Sequence, residues 1–531
     1  MTLPPDNAKT GWLSRLAALT GWRADLSMLL TGALAATALP PVHAIPVLLV
    51  CVPCLLSAIS ATAGSWGAFR RGWWFGFGLN LIGLYWITEA ILVEAERFWW
   101  LVPLAVPALS AVLAAFVAAA TAVARRAGPG WRRAFALAGA WVLADLVRQF
   151  IATGFPWNPL GSVWAIPGWA GDVMIQPAAA IGVHGLTLVT LLLAAVPTLS
   201  QRWRAAALAV FALWAGVGLL RLAHVPEAGA PMPIAVVVQG NVPQGQKWNR
   251  TLVDGIFDRY LTLTADGLRQ AGTGPAVVVW PETAVPYLLQ TDVPAREAIA
   301  SVTGAAVALI GGVRFGAEGR PRNSLFALTA GGAISQMFDK WHLVPFGEYQ
   351  PDWLPLGVQL VPGGGFLPGP GPVTLSPPSI PKVGPLICYE AIFSGQVVDR
   401  EDRPAWMVNV TNDAWFGNST GPRQHLAAAR MRSVEEGLPL IRAANTGISA
   451  IFDAYGHEVA RLGMGQTGVL VAPLPRALPP TPFSRFGLPI PGLLALLALV
   501  CGMLPAGTLT RFGRPEMHFF IILFFISKIS G

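Results

Sequence analysis

Between Leu26 and Leu222 the chain runs in apolar blocks such as Leu101 to Val123 and Ile175 to Leu199. Each is long enough for the roughly 20 residues that a helix needs to cross a bilayer. Only 12% of the residues are charged and 54% are hydrophobic, against a usual charged share of about 25%. This is the composition of a polytopic membrane protein. From Pro231 to about Pro475 the texture changes to short apolar runs split by Gly, Pro and charged residues, as in a folded aqueous domain. A last long apolar block spans about Gly487 to Leu509. The expected organisation is a membrane domain over 1–230, an aqueous domain over 231–478, a last span within 479–514 and a short apolar tail of unassigned role over 515–531.

Eight spans are expected, near 24–41, 43–61, 73–93, 98–123, 134–151, 175–199, 204–222 and 486–510. Arg15 and Arg23 precede the first, and Arg70 and Arg71 fall between the second and third. Arg125, Arg126, Arg132 and Arg133 follow the fourth, Arg202 and Arg204 follow the sixth, and Arg511 and Arg514 follow the last. Every second loop is therefore basic, which orients both termini to the cytoplasm and the aqueous domain to the outside. Asp145 and Arg148, near the outer end of the fifth span, are three residues apart and are expected to pair on one helical face.

The net charge of +8 is spread in short clusters between apolar blocks. Nucleic-acid binders instead gather their basic residues on one stripe, so that class is excluded. Of the four cysteines, Cys51, Cys54 and Cys501 lie in apolar blocks and read as small buried hydrophobes. Cys388 is the one cysteine in the aqueous domain and has no disulfide partner there.

Within that domain, strands are expected at Ile234–Val238, Ala276–Trp280, Val307–Val313, Ser324–Leu328, Leu386–Tyr389, Trp406–Val410 and Ile448–Phe452. Leu252, Ile256, Tyr260 and Leu263 fall on one face of a helix between the first two, and a second helix is expected from Gln424 to Glu436. Strands alternating with helices give a layered α/β domain.

Three motifs end or follow strands. Val279-Trp280-Pro281-Glu282-Thr283 sets a carboxylate just past a strand, as a general base requires. In Phe338-Asp339-Lys340-Trp341-His342, a lysine sits among bulky apolar residues, where a buried ammonium stabilises a thiolate and then an oxyanion. His342 invites a Cys–His dyad but reads better as a structural hydrogen-bonding group. Gly384-Pro385-Leu386-Ile387-Cys388-Tyr389-Glu390 sets a thiol at a strand end, where a nucleophile would stand.

Taken together, and in that order, these motifs resemble the Glu–Lys–Cys triad of the nitrilase (carbon–nitrogen hydrolase) superfamily. The runs Asn409-Val410-Thr411-Asn412-Asp413-Ala414-Trp415-Phe416-Gly417, Gly421-Pro422-Arg423-Gln424-His425 and Arg442-Ala443-Ala444-Asn445-Thr446-Gly447 are similar to that superfamily as well. The implied fold is an αββα sandwich inserted before the last span. That layout, with Thr153-Gly-Phe-Pro-Trp157 before the sixth span and Gln239-Gly240-Asn241 opening the domain, resembles the apolipoprotein N-acyltransferase family. The resemblance implies Glu282, Lys340 and Cys388 as catalytic residues, with Trp248, Glu348, Tyr389 and Glu390 in support. It implies no cofactor and no metal. It also implies a bacterial inner-membrane enzyme whose catalytic domain is periplasmic. The acyl donor would be a phospholipid, typically phosphatidylethanolamine, and the acceptor the N-terminal diacylglyceryl-cysteine of apolipoproteins. The apolar residues between Tyr349 and Leu367, among them Trp353, Leu354 and Phe366, are expected to form a lid that dips into the interface. A tethered amidase acting on a soluble substrate would not need eight spans. A transporter would show internal repeats, and none is evident.

Overall fold

The computed structural model describes residues 11–93, 95–224, 231–247, 249–351 and 365–505. Apolar helices dominate the first part: α1 (Gly21–Ala35), α2 (Leu48–Ala61), α3 (Ser65–Gly83), α4 (Val102–Ala124), α5 (Trp131–Phe150), α6 (Ala178–Ala194) and α7 (Gln201–Ala223). Among the described residues, the helical segments Ala95–Ala124, Ala178–Thr198 and Gln201–Ala223 are long and apolar enough to cross a membrane. Cys51 and Cys54 are buried in α2. The expected Asp145–Arg148 pair forms at 3.1 Å within α5.

One boundary is corrected. The span expected at 73–93 is α3, which begins at Ser65 and ends at Gly83, so Arg70 and Arg71 lie inside a helix and not in a loop. Both donate to Asp25 of α1, Arg71 at 2.9 Å and Arg70 at 2.5 Å. The two guanidiniums make the burial of the Asp25 carboxylate tolerable, because charges at membrane depth persist where they are paired.

Helix α6 is broken at Gly182, whose φ of +66° suits glycine. A Cβ there would come within 2.3 Å of the Phe483 ring. The amide of Val183, freed by the break, donates at 2.8 Å to Glu435 Oε1 of the aqueous domain.

The aqueous domain consists of two facing sheets. The first has the order β11-β1-β2-β3-β4-β5: β11 (Gly468–Pro473), β1 (Ile234–Gln239), β2 (Ala276–Trp280), β3 (Val307–Phe315), β4 (Pro321–Leu328) and β5 (Ile334–Asp339). The second has the order β10-β9-β8-β7-β6: β10 (Glu458–Leu462), β9 (Ser449–Phe452), β8 (Leu440–Ala444), β7 (Trp406–Thr411) and β6 (Val383–Ile387). Strands β1–β2–β3 and β6–β7–β8 run parallel. Alternation sorts their side chains. Ala235, Val237, Val277 and Val279 point inward, onto Ile387, Val408, Val410 and Ile441 of the other sheet. Val236, Val238, Val278 and Trp280 point outward, onto Ile256, Phe257 and Tyr260 of α8 (Val253–Ala271) and Ala295 and Ile299 of α9 (Val293–Thr303). Burial on both faces is why these strands read as unbroken apolar runs.

On the other flank lies α10 (Gly421–Glu436). Its sequence is polar, yet nearly all of it is buried, because it is held between the second sheet and the membrane helices. Its charges find partners: Arg430 meets Asp172 at 2.5 Å, and Arg432 meets Glu435 at 3.1 Å. The last helix among the described residues is α11 (Pro489–Met503), packed on α5. The layers are thus αββα. The tail over 515–531 lies outside the described residues, as do Arg511 and Arg514.

Candidate active site

The parallel strands of both sheets end at one edge, and open α/β sheets bind ligands beyond the carboxyl ends of their strands. Asn241 follows β1, Glu282 follows β2, Lys340 follows β5, Cys388 follows β6, Asn412 and Asp413 follow β7, and Asn445 follows β8. Residues far apart in sequence meet there because the topology returns each strand in the same direction.

Lys340 is 1% exposed. Its Nζ lies 2.8 Å from Glu348 Oε2 and 3.4 Å from Glu282 Oε1. Burial opposes its charge, but the Glu348 and Glu282 carboxylates outweigh it and raise the ammonium above the ordinary lysine range. The strand end that carries it is braced by Asp339, which accepts from Arg314 Nε and Ser324 Oγ, each at 2.7 Å.

Glu282 Oε2 accepts from the Asn412 amide at 2.8 Å, and its Oε1 from Asn323 Nδ2 at 2.7 Å. Glu348 Oε2 accepts from the Val344 amide at 2.8 Å, and its Oε1 from the same Asn323 nitrogen at 2.9 Å. Asn323 therefore ties the two carboxylates together through the same Oε1 atoms that the ammonium contacts.

Cys388 is 6% exposed, with φ of +51°, a left-handed conformation unusual for a residue with a side chain. It opens a short 3-10 turn, so the strand expected to reach Tyr389 ends at Ile387. Burial pushes the thiol up, Glu282 adds to the rise, and Lys340 opposes it. Burial and Glu282 thus both favour the thiol form, which suits a site in which a base takes the proton as the sulfur attacks.

Glu390, an expected supporting residue, braces the turn. Its Oε2 accepts from the Ile387 amide at 2.6 Å, and its Oε1 from the Trp341 and His342 amides at 2.7 and 3.3 Å. The nucleophile turn and the lysine loop are thereby fastened to each other. Burial pushes this carboxyl up to about 8 against the pull of those amides. Tyr389 points elsewhere: its hydroxyl donates to Gly154 O of the membrane domain at 2.9 Å. His342 stacks on Phe393 at 3.7 Å with planes 4° apart, and burial lowers its imidazole to about 4, which fits a structural role. Trp248 and Trp353 lie outside the described residues. The described chain comes back at Gly365, whose neighbour Phe366 donates to Glu348 O at 2.8 Å.

Sequence reasoning missed several contributors. Lys247, 3% exposed, donates to Glu282 O at 3.1 Å and Thr283 Oγ1 at 2.5 Å. It supports the turn in which Thr283 has φ of +45°. Burial lowers this ammonium to about 8 despite Glu282 and Cys388. Only three lysines occur between 231 and 478, namely Lys247, Lys340 and Lys382, and that scarcity was a usable signal. Asn323 carried none, since one asparagine on a strand is unremarkable until its neighbours are known. Among the described residues, no three His, Cys, Asp or Glu side chains gather closely enough to hold a metal ion.

Aromatic residues of both domains form a floor beside Cys388. Trp86, Trp157, Tyr389 and Phe393 belong to one buried cluster, with Phe155 and Phe416 packed against it. At its centre Gln424 Oε1 accepts from Trp157 Nε1 at 2.8 Å and Trp86 Nε1 at 3.1 Å. Its Nε2 donates to Gly83 O at 3.2 Å and Pro40 O at 3.3 Å. Gln424→Leu should cost roughly 1–3 kcal/mol for each indole left unpaired, read as a lower unfolding midpoint of the purified protein.

Two sheets flanked by helices, with an acid, an ammonium and a thiol at their shared edge, define a carbon–nitrogen hydrolase domain joined to a membrane domain. Residues 235–478 match the carbon-nitrogen hydrolase model, and residues 31–196 match that of the apolipoprotein N-acyltransferase N-terminal domain. The apolipoprotein N-acyltransferase of Rhodopseudomonas palustris is 38% identical, with 93% of this chain and 98% of the relative covered. That of Bradyrhizobium diazoefficiens is 40% identical over 90% and 95%. The chain belongs to the apolipoprotein N-acyltransferase family. Among solved structures, a carbon–nitrogen hydrolase superfamily protein from Xanthomonas campestris aligns at 18% identity and a TM-score of 0.35, with 46% of this chain and 90% of that one covered.

Proposed function

We propose that this protein transfers an acyl chain from a phospholipid, phosphatidylethanolamine in the first instance, to the α-amine of the N-terminal diacylglyceryl-cysteine of apolipoproteins. The reading rests on family membership. The observation that carries it is the fastening of the site to the membrane domain, the nucleophile turn through Tyr389 on Gly154 and the neighbouring helix α10 through Gln424 on Trp86 and Trp157. A hydrolase of soluble substrates has no use for a thiol anchored on such an apolar floor.

In the first half-reaction Glu282 takes the Cys388 proton as the sulfur attacks the ester carbonyl. Lys340 neutralises the tetrahedral oxyanion. The C–O bond then breaks, Glu282 returns the proton to the leaving oxygen, and a thioester remains. In the second, the lipoprotein amine attacks the thioester, Glu282 accepts a proton from it, and the C–S bond breaks to give the amide. The proton then passes back to Cys388. Glu348 keeps the ammonium charged and in register, and Trp248 contributes to substrate binding.

Eight spans, cytoplasmic termini and a catalytic domain on the periplasmic face of the inner membrane complete the reading, on the strength of basic residues gathered at alternate span ends, with Arg70 and Arg71 near the start of α3 and not in a loop. Most of the segment expected as a lid, residues 352–364, lies outside the described residues. Incubating the purified protein with labelled phosphatidylethanolamine and no acceptor should leave one acyl group on Cys388, visible by peptide mass spectrometry. A diacylglyceryl-cysteine peptide added afterwards should remove it as an N-acyl product. Turnover without any such adduct would rule out the thioester route.

A further inference from the structure

His425, directly after Gln424 on α10, is fully buried. Its Nε2 lies 2.9 Å from the carbonyl oxygen of Cys388. Its Nδ1 lies 3.0 Å from Asp413 Oδ1 and 3.1 Å from Arg442 Nη2. Arg442 Nη2 also donates to Asp413 Oδ2 at 2.8 Å, and Arg442 Nη1 donates to Asn409 Oδ1. Thr411 Oγ1 donates to Asp413 Oδ1 at 3.0 Å. Side chains from β7, β8 and α10 thus converge through one imidazole on one peptide group.

A carbonyl can only accept, so Nε2 carries the proton. Burial and the Arg442 guanidinium hold the imidazole below its ordinary range while Asp413 opposes them, and Nδ1, wedged between the Asp413 carboxylate and the Arg442 guanidinium, fixes the ring's orientation. In a trans peptide the C=O and the following N–H point in opposite directions. Holding the Cys388 carbonyl therefore also aims the Tyr389 N–H. Left-handed backbone costs a residue with a side chain roughly 1–2 kcal/mol, so the turn at Cys388 needs a partner to keep it there.

We propose that His425 is a positioning residue that locks the 388–389 peptide, so that the Tyr389 N–H stands beside Lys340 as the second oxyanion donor. This rests on the Cys388 thioester reading. Pre-steady-state acylation of the full-length protein by labelled phosphatidylethanolamine tests it in wild type, His425→Gln and His425→Asn. The Gln amide nitrogen reaches the place of Nε2, whereas the shorter Asn occupies that of Nδ1 and cannot reach the carbonyl. His425→Asn should keep the amplitude of Cys388 acylation and the half-saturating lipid concentration while its rate constant falls about 100-fold, the loss typical of one oxyanion donor. His425→Gln should recover at least tenfold of that. A loss of amplitude with an unchanged rate constant, or a Gln variant no faster than Asn, overturns the proposal. If His425→Asn does not fold, the Gln variant decides alone: a rate constant within about tenfold of wild type supports the lock, and a larger loss overturns it. Absence of the adduct in wild type would instead overturn the thioester reading.

Discussion

Cys388→Ala should abolish both the acyl adduct and acyl transfer, a loss on the order of 10⁶-fold if the thiol behaves as nucleophiles do in other covalent enzymes. The side chain is buried and small, so its removal leaves Glu282, Lys340 and Glu348 in their mutual hydrogen bonds. Unfolding midpoint and phospholipid binding should therefore stay close to those of wild type, while product formation disappears. Residual transfer above about one part in a thousand would mean that the amine attacks the phospholipid directly.

The second large effect belongs to Lys340→Met. Two carboxylates share this ammonium, and only Asn323 otherwise bridges them. Removing one partner of a buried ionic cluster costs about 3–5 kcal/mol, because the charge left behind has no counter-ion. Losing the oxyanion donor should cost a further 100 to 1,000-fold in acylation rate. The two effects separate in the double variant Lys340→Met/Glu348→Gln. It removes one of the stranded charges and should regain much of the stability without regaining turnover. Recovery of activity in the double variant would show that Lys340 serves the fold alone.

Much of the architecture was legible because each signal was local. Strands β1, β2 and β7 are largely apolar runs buried on both faces, a pattern that β3 and β6 share. Strands β8 and β11 were not anticipated, β8 because Arg442 interrupts its apolar run and β11 because it mixes half-exposed with buried residues, and neither were β5 and β10. The latter two lie near sheet edges, with exposed residues interleaved, so their pattern resembles a loop. Helix α10 was found with its start three residues late, although its burial could not be foreseen. A polar sequence ordinarily faces water, and partners distant in sequence, among them Asp172, the Val183 amide and the Trp86 and Trp157 indoles, make its interior position tolerable. Lysine and arginine placement misled at α3 for the same reason, since the compensating Asp25 lies 45 residues away from Arg70. Of the site, Glu282, Lys340 and Cys388 stood out by motif. Lys247, Asn323 and His425 act through distant partners that no single stretch of sequence displays.

The break in α6 reaches beyond the site. An amide released from its ladder inside an apolar helix has no water to turn to, and here the carboxylate that satisfies it is lent by the extramembrane half through Glu435. Neither half is a passenger on the other. A protein cut at the two junctions would leave a bare N–H on the membrane fragment and take from Glu435 one of its partners on the other, so the two parts stabilise each other as one cooperative body.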